Sequence, residues 1–256
     1  MSSSARNSSK KVYSFLGPVG TFTELALAQV KAAKGAVHKP VSSVTEAIDD
    51  VLAGRATRAI VPVENSIEGG VSATLDALAN STDIRIFGEY LVPVTFNLVA
   101  RPGVKLADVQ TVATHPVAYA QCRGWLSRHL PAAALVETDS TAAAVELVAR
   151  SPQGQAAVAS ATAAESRGVP ILARGIQDRR DNATRFFVIA KSANAVGAPE
   201  EVTSVVLTLK HEPGALQADR HRVEEAEQQA GPEGAHRVPL AEDHRGQRHE
   251  AAAGSH

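Results

Sequence analysis

Aromatic side chains are scarce in this chain. Phenylalanine, tyrosine and tryptophan together make up 4% of its 256 residues, so the core must rest on alanine, valine, leucine and isoleucine. Cysteine is rarer still: Cys122 stands alone. That excludes an internal disulfide and fits a reducing cytoplasm. An excess of basic residues is also missing, since 26 Lys and Arg face 27 Asp and Glu for a net charge of −1. Without surplus cations to neutralise phosphates, nucleic acid and membrane surfaces are unsuitable partners. No apolar run is long enough to cross a bilayer. The opening MSSSARNSSK is polar and lacks the apolar centre of a signal peptide. The expectation is a soluble, cytoplasmic chain with a frayed start. Walker-type, G-x-G-x-x-G and G-x-S-x-G patterns are absent, which removes the usual support for nucleotide and esterase chemistry. No metal-ligand spacing occurs, and the five tail histidines from His221 to His256 are scattered through polar sequence.

What is present is alternation. Short segments at 12–16, near 37–41 and at 58–63 read as strands, and helical stretches follow each, at about 22–34, from Ser43 onward and at 71–79. Thr21-Phe22-Thr23-Glu24 and Ser43-Val44-Thr45-Glu46 have the form of capping boxes at two of the helix starts. A longer extended segment from 83 to 100 is interrupted by Pro93, and the alternation then resumes from 111 to 173. Strand and helix in turn predict parallel sheets with helices on their faces. The segment DNATRFFVIA (181–190) ends in a continuous apolar run, the mark of a strand buried on both sides, and would return the chain to its first half. Two α/β lobes joined by two crossings would form a cleft.

Polar residues punctuate the strand ends, where ligands of such sheets collect. Thr184 and Arg185 open the last buried strand. Glu64, Asn65 and Ser66 follow a strand, and read as a carboxylate seat at a helix start or as a turn with its cap. Gly69 and Gly70 permit close backbone approach or a tight turn. Thr21 and Ser160 stand at two other strand ends. Glu64 and Glu68 carry acid–base potential, or simply solvated charge. His115 reads more readily as structural than as a donor, and Cys122 as a small buried hydrophobe.

Four segments together, FLGPVGTFTE (15–24), VPVENSIEGGV (61–71), THPVAYAQC (114–122) and DNATRFFVI (181–189), resemble the prephenate dehydratase family in order and spacing. The resemblance covers roughly residues 11–192. It implies a two-lobed α/β fold like the type 2 periplasmic binding proteins, with lobe 1 at about 11–93 and 183–192 and lobe 2 at about 94–182. It also implies conversion of prephenate to phenylpyruvate, carbon dioxide and water on the route to L-phenylalanine, with no metal or organic cofactor. Thr184 would assist the departing hydroxyl, Arg185 would anchor or organise, and Phe186 would pack at the cleft wall. Asn65 and Ser66 would grip a carboxylate, supported by Thr21, Ser160, Glu64, Gly69 and Gly70. Arogenate dehydratase and a non-catalytic small-anion-binding module of the same fold are the alternatives.

Beyond a small-residue linker at 193–201, TSVVLTLKHEPGAL (203–216) resembles the start of the family's phenylalanine-binding ACT domain, taken here as 202–216. Residues 217–256 depart from the family: they hold no aromatic residue, few large aliphatics and no ESRP segment. Such a tail cannot offset the entropy of ordering, which predicts disorder and an absent or much weakened response to L-phenylalanine. The resemblance implies a homo-oligomer, while the unpaired edge of the 202–209 strand predicts faulty assembly.

Overall fold

The computed structural model describes residues 10–151 and 154–192. The expectations for the start of the chain, the linker, the ACT-like segment and the tail lie outside the described residues. Eleven strands and six α-helices occur among them, in the order β1 Val12–Leu16, α1 Phe22–Gln29, β2 Val37–Val41, α2 Val44–Leu52, β3 Arg58–Asn65, β4 Gly69–Gly70, α3 Ser72–Asn80, β5 Ile84–Pro93, β6 Asn97–Ala100, β7 Thr111–Thr114, α4 Pro116–His129, β8 Ala134–Glu137, α5 Thr141–Arg150, β9 Gln155–Ala159, α6 Ala161–Ser166, β10 Ile171–Ala173 and β11 Ala183–Lys191.

These strands form two sheets, ordered β2-β1-β3-β11-β5, with β4 paired to β3, and β10-β6-β9-β7-β8. Neither sheet is purely parallel, which corrects the reading from alternation. β1, β2 and β3 are parallel, but β11 pairs antiparallel with both β3 and β5. The reason is topological: β11 comes back from the second sheet at the carboxyl ends of β3 and β5, and so must run against them. In the second sheet β7, β8 and β9 are parallel, while β6 runs against both β9 and β10. The carboxyl ends of β1, β3 and β5 therefore share one edge with the first residues of β11, where α/β sheets hold ligands.

Each sheet buries both faces. Tyr13, Phe15, Ile60, Phe186 and Val188 pack with Leu27 and Val30 of the α1 segment. Ala59, Val61 and Ile189 pack with Val44, Ile48 and Val51 of α2. In the second sheet Leu98, Val112 and Val158 meet Ala118, Cys122 and Leu126 of α4. On its other face small residues dominate, with Ala113 and Ala157 against Ala144, Val145 and Ala163. The shortage of aromatics is thus met by close approach of alanine-rich surfaces.

Local capping differs in detail from the sequence pattern. Ser43 accepts from Glu46 N–H at 3.0 Å, but the Glu46 carboxylate accepts from Ser42 rather than Ser43. At α1, Thr21 makes no cap bond and donates instead to the Leu16 carbonyl, while Glu24 accepts from Gly20 N–H. Helix α1 stops at Gln29, short of the expected 34, and a 3₁₀ turn at Lys31–Ala33 follows.

Candidate active site

Asn65 organises the edge where β3 ends and β11 begins. Its Oδ1 accepts from the backbone N–H groups of Ile67 and Glu68, at 2.9 and 3.1 Å. Those two donors fix which way the amide faces, because they require an oxygen on that side. The Nδ2 group must then point at Thr184, and it donates to Thr184 Oγ1 at 2.8 Å and to Asn182 Oδ1 at 2.8 Å. Thr184 lies opposite Asn65 in the β3–β11 ladder and opposite Val92 in the β5–β11 ladder. Its oxygen is engaged as an acceptor, and its hydroxyl proton has no acceptor among the described residues. The site therefore presents a half-buried alcohol set to donate.

The chain of amides continues into the second half of the molecule. Asn182 is 2% exposed, and its Nδ2 donates to Gln121 Oε1 on α4 at 2.6 Å. Gln121 Nε2 donates in turn to Glu68 Oε1 at 3.1 Å. Since Glu68 N–H bonds Asn65, the circuit closes on itself. Ser66 adds a second fastening: its Oγ donates to the Asp181 carbonyl and accepts from Ala183 N–H. Its N–H also donates to the Ala183 carbonyl.

A cleft of about 510 Å³, within the roughly 300–1,000 Å³ usual for small-molecule sites, reaches this edge at Pro93, which pairs with Ala183; Asn65, Ser66 and Thr184 are not among the residues lining it. Phe22, Leu25 and Pro93 supply apolar wall, and the start of α6 with Ser160 forms another side. Arg174 and Arg180 also line it, and no carboxylate does. Neither guanidinium has an ion-pair partner among the described residues, so the cleft carries two uncompensated positive charges. Phe22 stacks edge-on against Phe96 at 5.6 Å, joining α1 to the crossing between the sheets. Nearby the two halves touch directly. Ser160 Oγ donates to the Gly20 carbonyl at 3.1 Å, and a Cβ on Gly20, at φ +95°, would stand 3.1 Å from Ala163 Cα.

Among the residues named from the sequence, Thr184 and Asn65 come together as a hydrogen-bonded pair, but several placements need correction. Asn65 belongs to β3, and a tight turn to β4 rather than a helix follows it. The donor groups of Asn65 and Ser66 are spent on other parts of the protein, so they hold the edge and leave no side-chain donor for a carboxylate. Gly69, at φ +84°, serves that turn with open space around it, and a Cβ on Gly70 would meet the end of the Leu75 side chain at 2.8 Å. Phe186 is 2% exposed and sits in the core, away from the cleft wall. Arg185 sits opposite Glu64 in the ladder, its Nε 4.0 Å from Glu64 and 3.3 Å from Glu89, so the glutamates neutralise it. Strand alternation puts Arg185 on the face opposite Thr184. Thr21 donates to Leu16, and Ser160 caps α6 by accepting from Ala163 N–H. Ser160 lines the cleft with its hydroxyl already used.

Asn182, Arg174 and Arg180 were missed. The two arginines lie in ARGIQDRRD (173–181), an irregular basic stretch whose charge was visible but whose destination was not. His115 caps α4: its Nδ1 accepts from Val117 N–H. Burial, reinforced by the Asp178 charge, pushes the Cys122 thiol up to about 12, so it stays protonated and inert as a nucleophile. Among the described residues no group of His, Cys, Asp or Glu is arranged to hold a metal ion, and no helix is long and apolar enough to cross a membrane.

The fold and the edge define a class: a two-lobed α/β protein with a cationic cleft and a polarised alcohol at the carboxyl ends of its strands. Comparison with known proteins makes the class specific. The prephenate dehydratase family model matches residues 13–194, and the chain belongs to that family. The prephenate dehydratase of Mycobacterium marinum is 42% identical over 215 residues, covering 79% of this chain and 67% of that one. The structure of the Arthrobacter aurescens prephenate dehydratase in complex with L-Phe is 40% identical, with a TM-score of 0.69 over 83% of this chain and 72% of that one. GqqA, described as a novel type of quorum quenching acylase, is 30% identical with a TM-score of 0.66 over 85% of this chain and 78% of its own.

Proposed function

We propose that the chain converts prephenate to phenylpyruvate, carbon dioxide and water, using residues 11–192. The observation that carries this reading is the direction of the Asn65–Thr184 hydrogen bond, which leaves the Thr184 proton available outward. Prephenate bears both carboxylates at one end of its six-membered ring and the hydroxyl at the other. An alcohol donor at the strand edge and a cationic cleft beside it match that division.

Loss of the C–O and C–C bonds is driven by formation of an aromatic ring, so the protein's work is orientation and assistance to the leaving oxygen. A threonine hydroxyl is a poor acid, and Thr184 acts as a hydrogen-bond donor that stabilises charge developing on the departing hydroxyl. Asn65 makes it a better donor by donating to its oxygen, which polarises the O–H bond. Arg174 and Arg180 draw in the two carboxylates. Arogenate carries an ammonium in place of the side-chain ketone, and no cleft carboxylate would receive it, so prephenate is the favoured substrate. Cys122, the only cysteine, supports a reducing compartment such as the cytoplasm.

Turnover of prephenate near neutral pH, followed as phenylpyruvate in alkali, tests the proposal. A rate no greater than the spontaneous one would refute it. L-Phenylalanine, bound by the Arthrobacter relative, is proposed to have little effect here because 217–256 lacks an ESRP segment. Strong cooperative inhibition in the same assay would contradict that.

A further inference from the structure

Helix α4 contains a glycine at its middle, Gly124, at a cost of about 1 kcal/mol relative to alanine. The structure supplies the reason. Asp178, from the segment returning to the first sheet, pushes its carboxylate against the helix backbone there. Its Oδ2 accepts from Gly124 N–H at 2.7 Å and its Oδ1 from Trp125 N–H at 3.0 Å. Asp178 N–H donates to the Gln121 carbonyl at 2.8 Å. A Cβ on Gly124 would lie 2.7 Å from Asp178 Oδ1, so only glycine admits the carboxylate. Four residues later Asn182 bonds the Gln121 side chain. Residues 178–182 thus hold one turn of α4 at its backbone and at the amide that continues toward Thr184.

We infer that Asp178 is a positioning residue for the reaction: by occupying two N–H groups of α4 it sets where Gln121 presents its amide, and through Asn182 and Asn65 the direction of the Thr184 hydroxyl. The inference rests on reading Thr184 as the donor. Asp178 itself does not line the cleft, though Gln177 and Arg180 on the same segment do, so a positioning role reads in turnover whereas a mere anchor of that segment reads in substrate affinity. Without the carboxylate, Gln121 and Asn182 lose their common frame, and displacements on the order of 1 Å at a reacting group cost roughly a hundredfold in rate.

The experiment is a cycle of Asp178→Ala, Thr184→Val and the double variant in steady-state prephenate turnover. Asp178→Ala should lower kcat roughly 10–100-fold with KM within about threefold of the parent. Asp178→Asn, which keeps one acceptor oxygen, should recover part of that loss. The double variant should be no slower than Thr184→Val, because the two act through one hydroxyl. If Asp178→Ala does not fold, Gly124→Ala displaces the carboxylate and should show the same loss of kcat. An equal loss from Asp178→Ala in both backgrounds, or a rise in KM at unchanged kcat, overturns the inference alone. Full activity of Thr184→Val removes the donor reading and this inference with it.

Discussion

Two polar clusters in the first sheet differ in what they contain and what they do. Around Asp50 the groups are charged: its carboxylate accepts from Lys39 Nζ at 2.7 Å, Arg55 Nε at 2.7 Å and Ser14 Oγ at 2.9 Å. Its side chain is 1% exposed, while those of Lys39 and Arg55 are 41% and 55% exposed. Around Thr184 the groups are mainly neutral amides, and they reach across to α4. The first cluster ties helix α2 to the sheet strands β1 and β2 within one half of the molecule, whereas the second joins both halves at the strand edge. Buried charge fixes that packing but tolerates no other arrangement. Amides can orient a hydroxyl without imposing a strong field on it.

The sharpest break of this contrast is Thr184→Val, which should cost roughly 10²–10⁴ in kcat while leaving thermal stability close to the parent. Steady-state kinetics beside a melting curve separate the two. Asn65→Asp comes next, with an expected loss of about 10² in kcat. The aspartate keeps an oxygen for Ile67 and Glu68, but it presents an acceptor to Thr184 and turns the hydroxyl proton inward. Retained activity would mean the donor direction does not matter.

Asp50→Asn should do the reverse, lowering stability by about 2 kcal/mol with kcat unaltered. Burial works against the Asp50 charge, yet the hydrogen bonds from Lys39, Arg55 and Ser14 outweigh it and hold its pKa down to about 2, from 3.8. Because the folded value is the lower one, the unfolded chain takes up the proton first as pH falls. The contribution is complete above about pH 4 and lost toward pH 2. Denaturation measured across that window should show the decline in the parent and not in the variant. Arg174→Gln should raise KM for prephenate roughly tenfold with little change in kcat, the size of one charge-assisted hydrogen bond. An unchanged KM would place the dianion elsewhere. The smallest effect is expected at Cys122: at pH 8 iodoacetamide should leave the folded protein unlabelled, by mass spectrometry.

Much of the fold was legible because it rests on local rules. The strands at 12–16 and 37–41 carry the boundaries expected of them. Others shifted where a partner extended them: β3 continues through Glu64 and Asn65 because β11 and β4 pair with those residues. The antiparallel insertion of β11 was illegible for the same reason, since strand direction depends on where the chain returns.

Thr184 and Asn65 were both marked by residue type and position, but the relation between them was not. Asn65 looked like a ligand group because nothing in VPVENSIEGGV reveals that Asn182, 117 residues away, takes its amide. The family resemblance implies a cleft-wall place for Phe186 and an anchoring or organising role for Arg185. Strand alternation and the neighbouring strands send one into the core and the other to two glutamates.

The amino-acid sequence by itself determined the alternating elements, the family and the residue types at the strand ends, because periodicity, turn chemistry and motif spacing act over a few positions. Tertiary structure alone decided which polar groups are spent on each other and which remain for a substrate. That decision depends on hydrogen-bond partners brought together from distant strands and from α4. A donor becomes available only when every nearby acceptor is already accounted for.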